Sequence, residues 1–150
     1  MNRIDINAAT DRERNQAAML LARSEPWITL GISLDQCKKS CYNPEFFLYV
    51  AHVRTKLAGI ILLDPCGVAG SPYLKSIAVH PDFQGQGIGS ALLSFAEDLF
   101  RKEARHMFLC VSSFNNKAQK FYENFGYHAV GEFKDYLVQG KSEILMHKWL

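Results

Sequence analysis

Three glycines stand at alternate positions, 85, 87 and 89, in the segment IAVHPDFQGQGIGSALLSFAEDLF, between a short apolar run and a helical pattern. The first N–H groups of a helix lack partners, and the helix dipole favours negative charge there. Glycines let an anion approach this backbone with no Cβ in the way, and no acidic residue lies between Phe83 and Phe95. The segment therefore predicts an anion cradle, although a turn that only lets a strand meet a helix closely would leave the same pattern.

Two familiar phosphate-binding motifs do not match this segment. A P-loop needs a Gly-Lys pair followed by Ser or Thr, and there is no lysine between Lys75 and Arg101. A dinucleotide fingerprint needs a glycine at its sixth position, where this chain has Ser90. The cradle therefore belongs to neither of these classes.

A second segment, NNKAQKFYENFGY at 115–127, carries a tyrosine that could do acid chemistry. Helical spacing puts Tyr122 on one face with Ala118, Phe121 and Phe125, and Gly126 predicts the helix end. A phenol with a reference pKa near 10 can pass a proton to a thiolate whose acid lies near 8.5. Tyr122 is thus a candidate general acid, and an ordinary core tyrosine is the alternative.

The elements that must position these segments alternate between strands and helices. We expect strands at 3–7, 45–53, 57–63, 73–79, 107–111, 127–133 and 143–149, and helices at 11–23, 34–40, from the glycines to about 103, and after 115. The helix after the glycines should bury an i, i+3, i+4 stripe, namely Ile88, Ala91, Leu92, Phe95, Ala96 and Leu99. This order predicts one mixed α/β or α+β sandwich over residues 1–150.

Composition excludes several classes of function. The chain has 150 residues, a formal net charge of +2 and no cluster of Lys and Arg that would track nucleic acid. No apolar run is long enough to span a membrane, and the polar N-terminus lacks a signal-peptide core, so we expect a cytoplasmic protein. The four cysteines should then be reduced. Cys37 and Cys41 are four apart but lack further ligands, so we expect structural thiols and no metal.

The two motifs and their separation resemble the GNAT (Gcn5-related) N-acetyltransferase superfamily. Its cofactor motif, Gln/Arg-x-x-Gly-x-Gly/Ala, stands here as Gln84, Gly87 and Gly89. Its second motif, Asn-x-x-Ala-x-x-Phe-Tyr-x-x-x-Gly-Phe/Tyr, is similar to NNKAQKFYENFGY about 30 residues further on. The resemblance implies the GNAT fold: a central mixed, mostly antiparallel sheet of about seven strands, flanked by four helices and splayed between strands 4 and 5.

The resemblance also implies acetyl-CoA as the donor and Tyr122 as the general acid. The glycine turn would hold the pyrophosphate of coenzyme A on backbone N–H groups, and the edge of the fourth strand would pair with the pantetheine arm. The residues expected at the cofactor are Ile77, Ala78, Val79, Gln84, Gly85, Gln86, Gly87, Ile88, Gly89, Ser90, Asn115 and Ala118.

The general base does not carry over from the family. Ribosomal-protein N-terminal acetyltransferases of this family have a glutamate in the fifth strand, where LCV here places Cys110. A buried thiol is a poor base, so that role falls to a relayed water or to a carboxylate elsewhere, such as Glu25. A covalent acetyl-Cys110 is an alternative to direct transfer, although no Lys, Arg or His lies within three residues to activate the thiol.

The acceptor is expected to be a primary amine of a peptide N-terminus or a small molecule. It should lie over the first two helices and the last hairpin, with Glu25, Trp27 and Tyr136 as candidate contacts and Asp135 and Glu143 as further ones. An α-amino group is the easier acceptor without a strong base, because it loses its proton at lower pH than a lysine-like amine. The alternative function is a coenzyme A-binding regulatory or structural module without turnover. A homodimer is left open.

Overall fold

Residues 2–150, which the computed structural model describes, form seven strands and five α-helices. The strands are β1 (Ile4–Ala8), β2 (Phe47–Val53), β3 (Lys56–Val68), β4 (Ser71–Val79), β5 (His106–Ser112), β6 (His128–Phe133) and β7 (Glu143–Trp149). The helices are α1 (Asp11–Ala22), α2 (Trp27–Leu30), α3 (Leu34–Cys41), α4 (Ile88–Phe100) and α5 (Asn116–Asn124), with a short 3-10 helix at Pro81–Phe83.

The strands make one sheet in the order β1-β2-β3-β4-β5-β7-β6. Every described pair of neighbouring strands is antiparallel except β4 and β5, which are parallel. The β4–β5 register holds only Tyr73 opposite Phe108 and Leu74 opposite Leu109, and beyond these residues the two strands part. The expected mixed sheet and the splay between strands 4 and 5 are confirmed.

Helices cover both faces of the sheet, as a sandwich requires. On one face, α1 and α3 bury Ala17, Leu21 and Cys37 against strand residues such as Val50 and Ile60. On the other face, α4 and α5 pack on the second cluster, whose buried members include Ile61, Leu63, Leu92, Leu109, Val111 and Tyr122. The sheet therefore holds one core on each side.

Three sequence predictions need correction. The one-turn helix α2 was not expected, because four residues around Trp27 are too few to show a period. β3 continues to Val68 instead of ending near 63. The buried stripe of α4 is rotated from the predicted one, since Leu99 is 38% exposed whereas Leu93 and Phe100 are buried.

The rotated stripe also buries a charged residue of α4, Glu97. Glu97, 3% exposed, accepts hydrogen bonds from Lys148 Nζ at 2.7 Å and from the Tyr127 hydroxyl at 3.0 Å. Lys148 Nζ also donates to the Phe125 carbonyl, 2.8 Å away at the end of α5. The Glu97–Lys148 pair therefore fastens α4, β7 and the C-terminal end of α5 to one another.

No helix within residues 2–150 is both long and apolar enough to cross a bilayer. In the same part of the chain, no three His, Cys, Asp or Glu side chains are grouped so as to hold a metal ion. Cys37 and Cys41 are buried free thiols, and burial raises the pKa of Cys41 to about 12.

Candidate active site

A cavity of ≈ 1230 Å³ lies where β4 and β5 part. Its lining includes Trp27, Gln36 and Cys37 from the α1–α3 side and Ile88 and Tyr122 from the α4–α5 side. The cavity therefore reaches both faces of the sheet through the gap between the strands.

The glycine turn forms one end of this cavity. Gly85 (φ 74°) and Gly87 (φ 80°) are in the left-handed region, and Gly87 is the N-cap of α4. No protein atom lies within 4 Å of the position that a Cβ on either residue would occupy. Gly89 differs, because it lies in the first turn of α4 and its Cβ would make ordinary contacts with Phe121 at 3.6 Å and Val79 at 3.8 Å. The left-handed backbone at Gly85 and Gly87 thus favours glycine, and the space in front of these two residues is open.

The free edge of β4 continues from the turn along the cavity. Ile77, Ala78 and Val79 pair with Ile61, Ile60 and Gly59 of β3 on one side. On the other side they have no strand partner, since the β4–β5 register ends at Leu74. This edge presents unpaired backbone groups to a ligand shaped like an extended peptide.

The cavity brings together all but one of the residues expected at the cofactor. Its lining includes Ile77, Ala78, Val79, Gln84, Gly85, Gly87, Ile88, Gly89, Ser90, Asn115 and Ala118. Gln86 is outside the lining, and its side-chain amide donates to the Asp82 carbonyl at 3.4 Å. A side-chain contact from Gln86 to the cofactor is therefore not supported by this arrangement.

Tyr122 reaches the cavity from α5. Its side chain is 5% exposed, lines the cavity, and has its pKa raised by burial. Asn115 caps this helix by accepting from the Ala118 N–H at 3.2 Å. The Gln119 amide donates to the carbonyls of Ser112 and Ser113 at 3.1 and 3.0 Å, which ties α5 to the end of β5.

The residues expected at the acceptor line the same cavity as the glycine turn, and we call the part that they line the acceptor end. Glu25, Trp27 and Tyr136 all line it, although Tyr136 is 65% exposed. The Glu25 carboxylate accepts hydrogen bonds from the Thr29 hydroxyl and from the Thr29 N–H at 2.8 Å. These bonds lower the pKa of Glu25, which makes it a weaker base than an ordinary glutamate.

Polar groups of three strands also meet in the lining of the cavity. Glu143 on β7 is 7% exposed, and its Oε2 has no hydrogen-bond partner among residues 2–150. Burial raises the pKa of Glu143, and the Ser112 hydroxyl lowers it in part. Burial also raises the pKa of the Cys110 thiol. A hydrogen bond with the Tyr73 hydroxyl lowers this pKa in part, and the Glu143 carboxylate raises it further.

Tyr73 is the member of this group that the sequence analysis did not single out. Burial raises the pKa of its phenol, and Cys110 adds to the rise. Strand alternation could have found it, because Tyr73 lies opposite Phe108, which shares a face of β5 with Cys110. That reasoning needs the parallel β4–β5 register, which is not visible in the sequence.

Comparisons with known proteins agree with this geometry. The sequence matches the acetyltransferase (GNAT) family over residues 11–127. An acetyltransferase of Pectobacterium atrosepticum is 32% identical over 106 residues, which cover 70% of this chain and 72% of that protein. The fold resembles the ribosomal-protein-S18-alanine N-acetyltransferase from Escherichia coli, with a TM-score of 0.78, 20% identity and coverage of 98% and 94%. An aminoglycoside 6'-N-acetyltransferase complexed with coenzyme A gives a TM-score of 0.78, 18% identity and coverage of 97% and 96%.

Proposed function

Because the chain belongs to the acetyltransferase (GNAT) family, and by that membership is an acyltransferase, we propose that it moves an acetyl group from acetyl-CoA directly to a primary amine of a peptide N-terminus or a small molecule. The observation that carries this proposal is the glycine turn, with Gly85 and Gly87 left-handed and open in front at the start of α4. A solved neighbour of the same fold is a complex with coenzyme A, which supports the choice of donor.

The residues at this end of the cavity fit coenzyme A. Backbone N–H groups of residues 84–90 at the start of α4 suit a diphosphate, because the helix dipole and the unpaired donors both favour an anion. The free β4 edge at residues 77–79 suits the amides of the pantetheine arm. The bound donor would supply an acetyl thioester to the middle of the cavity.

Tyr122 would supply the proton that the departing thiolate needs. The raised pKa of Tyr122 keeps its phenol protonated at neutral pH. Because a phenol is a weaker acid than a thiol, full transfer to a free thiolate is uphill. Tyr122 would therefore give its proton to the sulfur as the carbon–sulfur bond breaks, and the proton lost by the attacking amine would restore the phenol. Tyr122 is on α5, which Gln119 ties to β5 at the edge of the gap.

Direct transfer is favoured over an acetyl-cysteine intermediate. The pKa of Cys110 is raised, chiefly by burial, so this residue is a thiol at neutral pH. Carrier chemistry needs the thiolate as nucleophile. We therefore infer that donor and acceptor occupy the cavity together.

The lining of the acceptor end favours an amine with one positive charge and an apolar neighbour. Trp27, Tyr73, Phe133 and Tyr136 present aromatic side chains, which attract a single ammonium group through their faces. The described acidic residues in the lining are Glu25 and Glu143, fewer than a polycation would need. A peptide N-terminus or a small aromatic or aliphatic monoamine fits this lining better than an aminoglycoside or a polyamine.

A panel of acceptors tests the proposal. Release of the coenzyme A thiol is measured with acetyl-CoA and with peptides, amino acids, monoamines, polyamines and aminoglycosides in parallel. We expect turnover to be concentrated among peptides and monoamines. Saturable acetyl-CoA binding without turnover on any amine would contradict the proposal and support a coenzyme A-binding module instead.

A further inference from the structure

Glu143 is the first residue of β7, opposite Ser112 of β5 and Phe133 of β6. Along β7, Ile144 and Met146 pack into the core under α4 and α5. Because strand residues alternate, Glu143 projects from the opposite face, where it lines the cavity. It is thus a buried carboxylate in the wall of the cavity.

Burying an ionised carboxylate without a partner destabilises a fold, so such a group calls for a reason. Glu97, the buried acid of α4, is stabilised by hydrogen bonds from Lys148 and Tyr127. Glu143 has no comparable ion pair, and neither its Oε2 nor the hydroxyl of Ser112 opposite it makes a hydrogen bond within residues 2–150. The free oxygen therefore suits a donor that arrives with a ligand.

The other groups facing the cavity do not suit the role of proton acceptor. Glu25 already accepts two hydrogen bonds from Thr29 and is exposed to solvent. The other titratable and charged groups that line the cavity are Tyr73 and Lys75 on β4, Cys110 on β5, Tyr122 and Lys117 on α5, Cys37 on α3, Tyr136 in the last hairpin, and Arg23 beside α1. None of these is a carboxylate or an imidazole, so Glu143 is the one buried acidic side chain among the described lining residues.

We propose that Glu143 is the general base of the proposed acetyl transfer, taking a proton from the acceptor ammonium before attack. The inference rests on the proposed function. The acceptor starts with three N–H protons, and the first goes to Glu143 Oε2. The neutral nitrogen then forms a bond to the acetyl carbon, and the carbon–sulfur bond breaks. The second proton replaces the one that Tyr122 gives to the sulfur, the amide keeps the third, and Glu143 releases its proton to solvent when the product leaves.

The chain around Glu143 holds it in place for this task. Ser113 N–H donates to the Ser142 carbonyl at 2.8 Å, and Ser142 N–H donates back to the Ser113 hydroxyl at 3.0 Å. Gln119 of α5 bonds to the Ser113 carbonyl at 3.0 Å. The start of β7, the end of β5 and the helix that carries Tyr122 are thus linked beside Glu143, which fixes the two proton-transferring residues in one frame.

The test compares Glu143→Gln and Glu143→Asp with wild type and with Glu132→Gln, an exposed acid on neighbouring β6. Three quantities are measured: kcat as a function of pH, KM for acetyl-CoA, and Tm of the chain without ligands. We expect Glu143→Gln to lower kcat by about 10²–10⁴-fold, as loss of a general base does, with KM for acetyl-CoA unchanged. Its rate should follow the fraction of neutral amine, while Glu143→Asp keeps part of the activity and Glu132→Gln keeps all of it.

The Tm decides between a catalytic and a structural role. Since Glu143→Gln removes a buried charge that has no ion-pair partner, Tm should be equal to or above that of wild type. Near-normal kcat in Glu143→Gln, or a loss of kcat accompanied by a lower Tm, would overturn the assignment while leaving the acetyltransferase function intact. Wild type that turns over no amine at all would instead overturn the proposed function, and the assignment with it.

Discussion

Gly87→Ala should separate the requirement for a left-handed backbone from the requirement for open space at the cradle. An alanine at φ 80° costs about 1–2 kcal/mol of stability, because its Cβ crowds the following carbonyl. In a chain of this size that corresponds to a fall in Tm of about 2–8 °C. Apart from this crowding with the adjacent backbone, the Cβ has no described protein atom within 4 Å, so the surrounding fold can accommodate it.

Coenzyme A affinity should fall by a further, separate amount. The Cβ occupies the space in which we place the diphosphate, and each hydrogen bond lost to a charged group costs about 1.5–3 kcal/mol. One lost bond weakens binding about 10- to 150-fold. Isothermal titration with coenzyme A measures this loss, and thermal unfolding without ligand measures the first cost.

Two other glycines provide the controls. Gly70 in the β3–β4 turn has φ 78° and equally empty space at its Cβ, so Gly70→Ala should lower Tm by a similar amount and leave coenzyme A binding unchanged. Gly89→Ala should keep the Tm and the coenzyme A affinity of wild type, because its Cβ would make ordinary contacts with Phe121 and Val79. Wild-type affinity in Gly87→Ala, or an equal loss of affinity in Gly70→Ala, would refute the cradle.

Further changes test other parts of the structure. Tyr122→Phe should lower kcat by about 10²–10⁴-fold and leave coenzyme A binding near normal. Normal turnover in this variant would mean that Tyr122 is a core residue and not the general acid. Cys110→Ala should keep most activity, and intact-protein mass spectrometry of wild type after exposure to acetyl-CoA should show no acetyl adduct. Lys148→Met leaves Glu97 buried without its main partner, so urea denaturation should show a free energy of unfolding about 3–5 kcal/mol lower than that of wild type. An unchanged free energy of unfolding would show that the pair does not stabilise the fold. Burial and two neighbouring imidazoles lower the pKa of His147 below 6.5 in the folded chain. As the pH falls below 6.5, His147 therefore binds a proton in the unfolded chain before it does so in the folded chain, and the free energy of unfolding should decrease. This decrease should be absent in His147→Gln.

Local patterns in the sequence predicted every strand and α-helix of the described chain except α2, and the resemblance to a known family supplied most of the candidate residues that are found in the cavity lining. The helix with Tyr122 was predicted with the correct inward face, since Ala118, Phe121 and Phe125 all pack on the core. The predicted stripe on α4 left out Glu97, which is buried and pairs with Lys148, 51 residues away. No helical period contains that information.

The same limit applies to the acceptor end of the site. Glu25 and Glu143 were both candidates in the sequence, and nothing local distinguished them. Pairing of β7 with β5 buries Glu143, whereas Thr29 engages Glu25 at the surface. Long-range pairing therefore decided which carboxylate is buried in the cavity.

The parting of β4 and β5 also affects how the main chain exchanges its amide hydrogens. Beyond Leu74 and Leu109, alternate amides on the facing edges have no strand partner, so they should take up deuterium faster than the amides of the same strands that are bonded to β3 or β7. A ligand that hydrogen-bonds to the β4 edge would slow uptake on the side of the gap and leave the amides facing β3 unchanged. Residue-resolved deuterium uptake along residues 75–79 and 110–112 would thus trace the path of the bound molecule by the side of each strand on which protection appears.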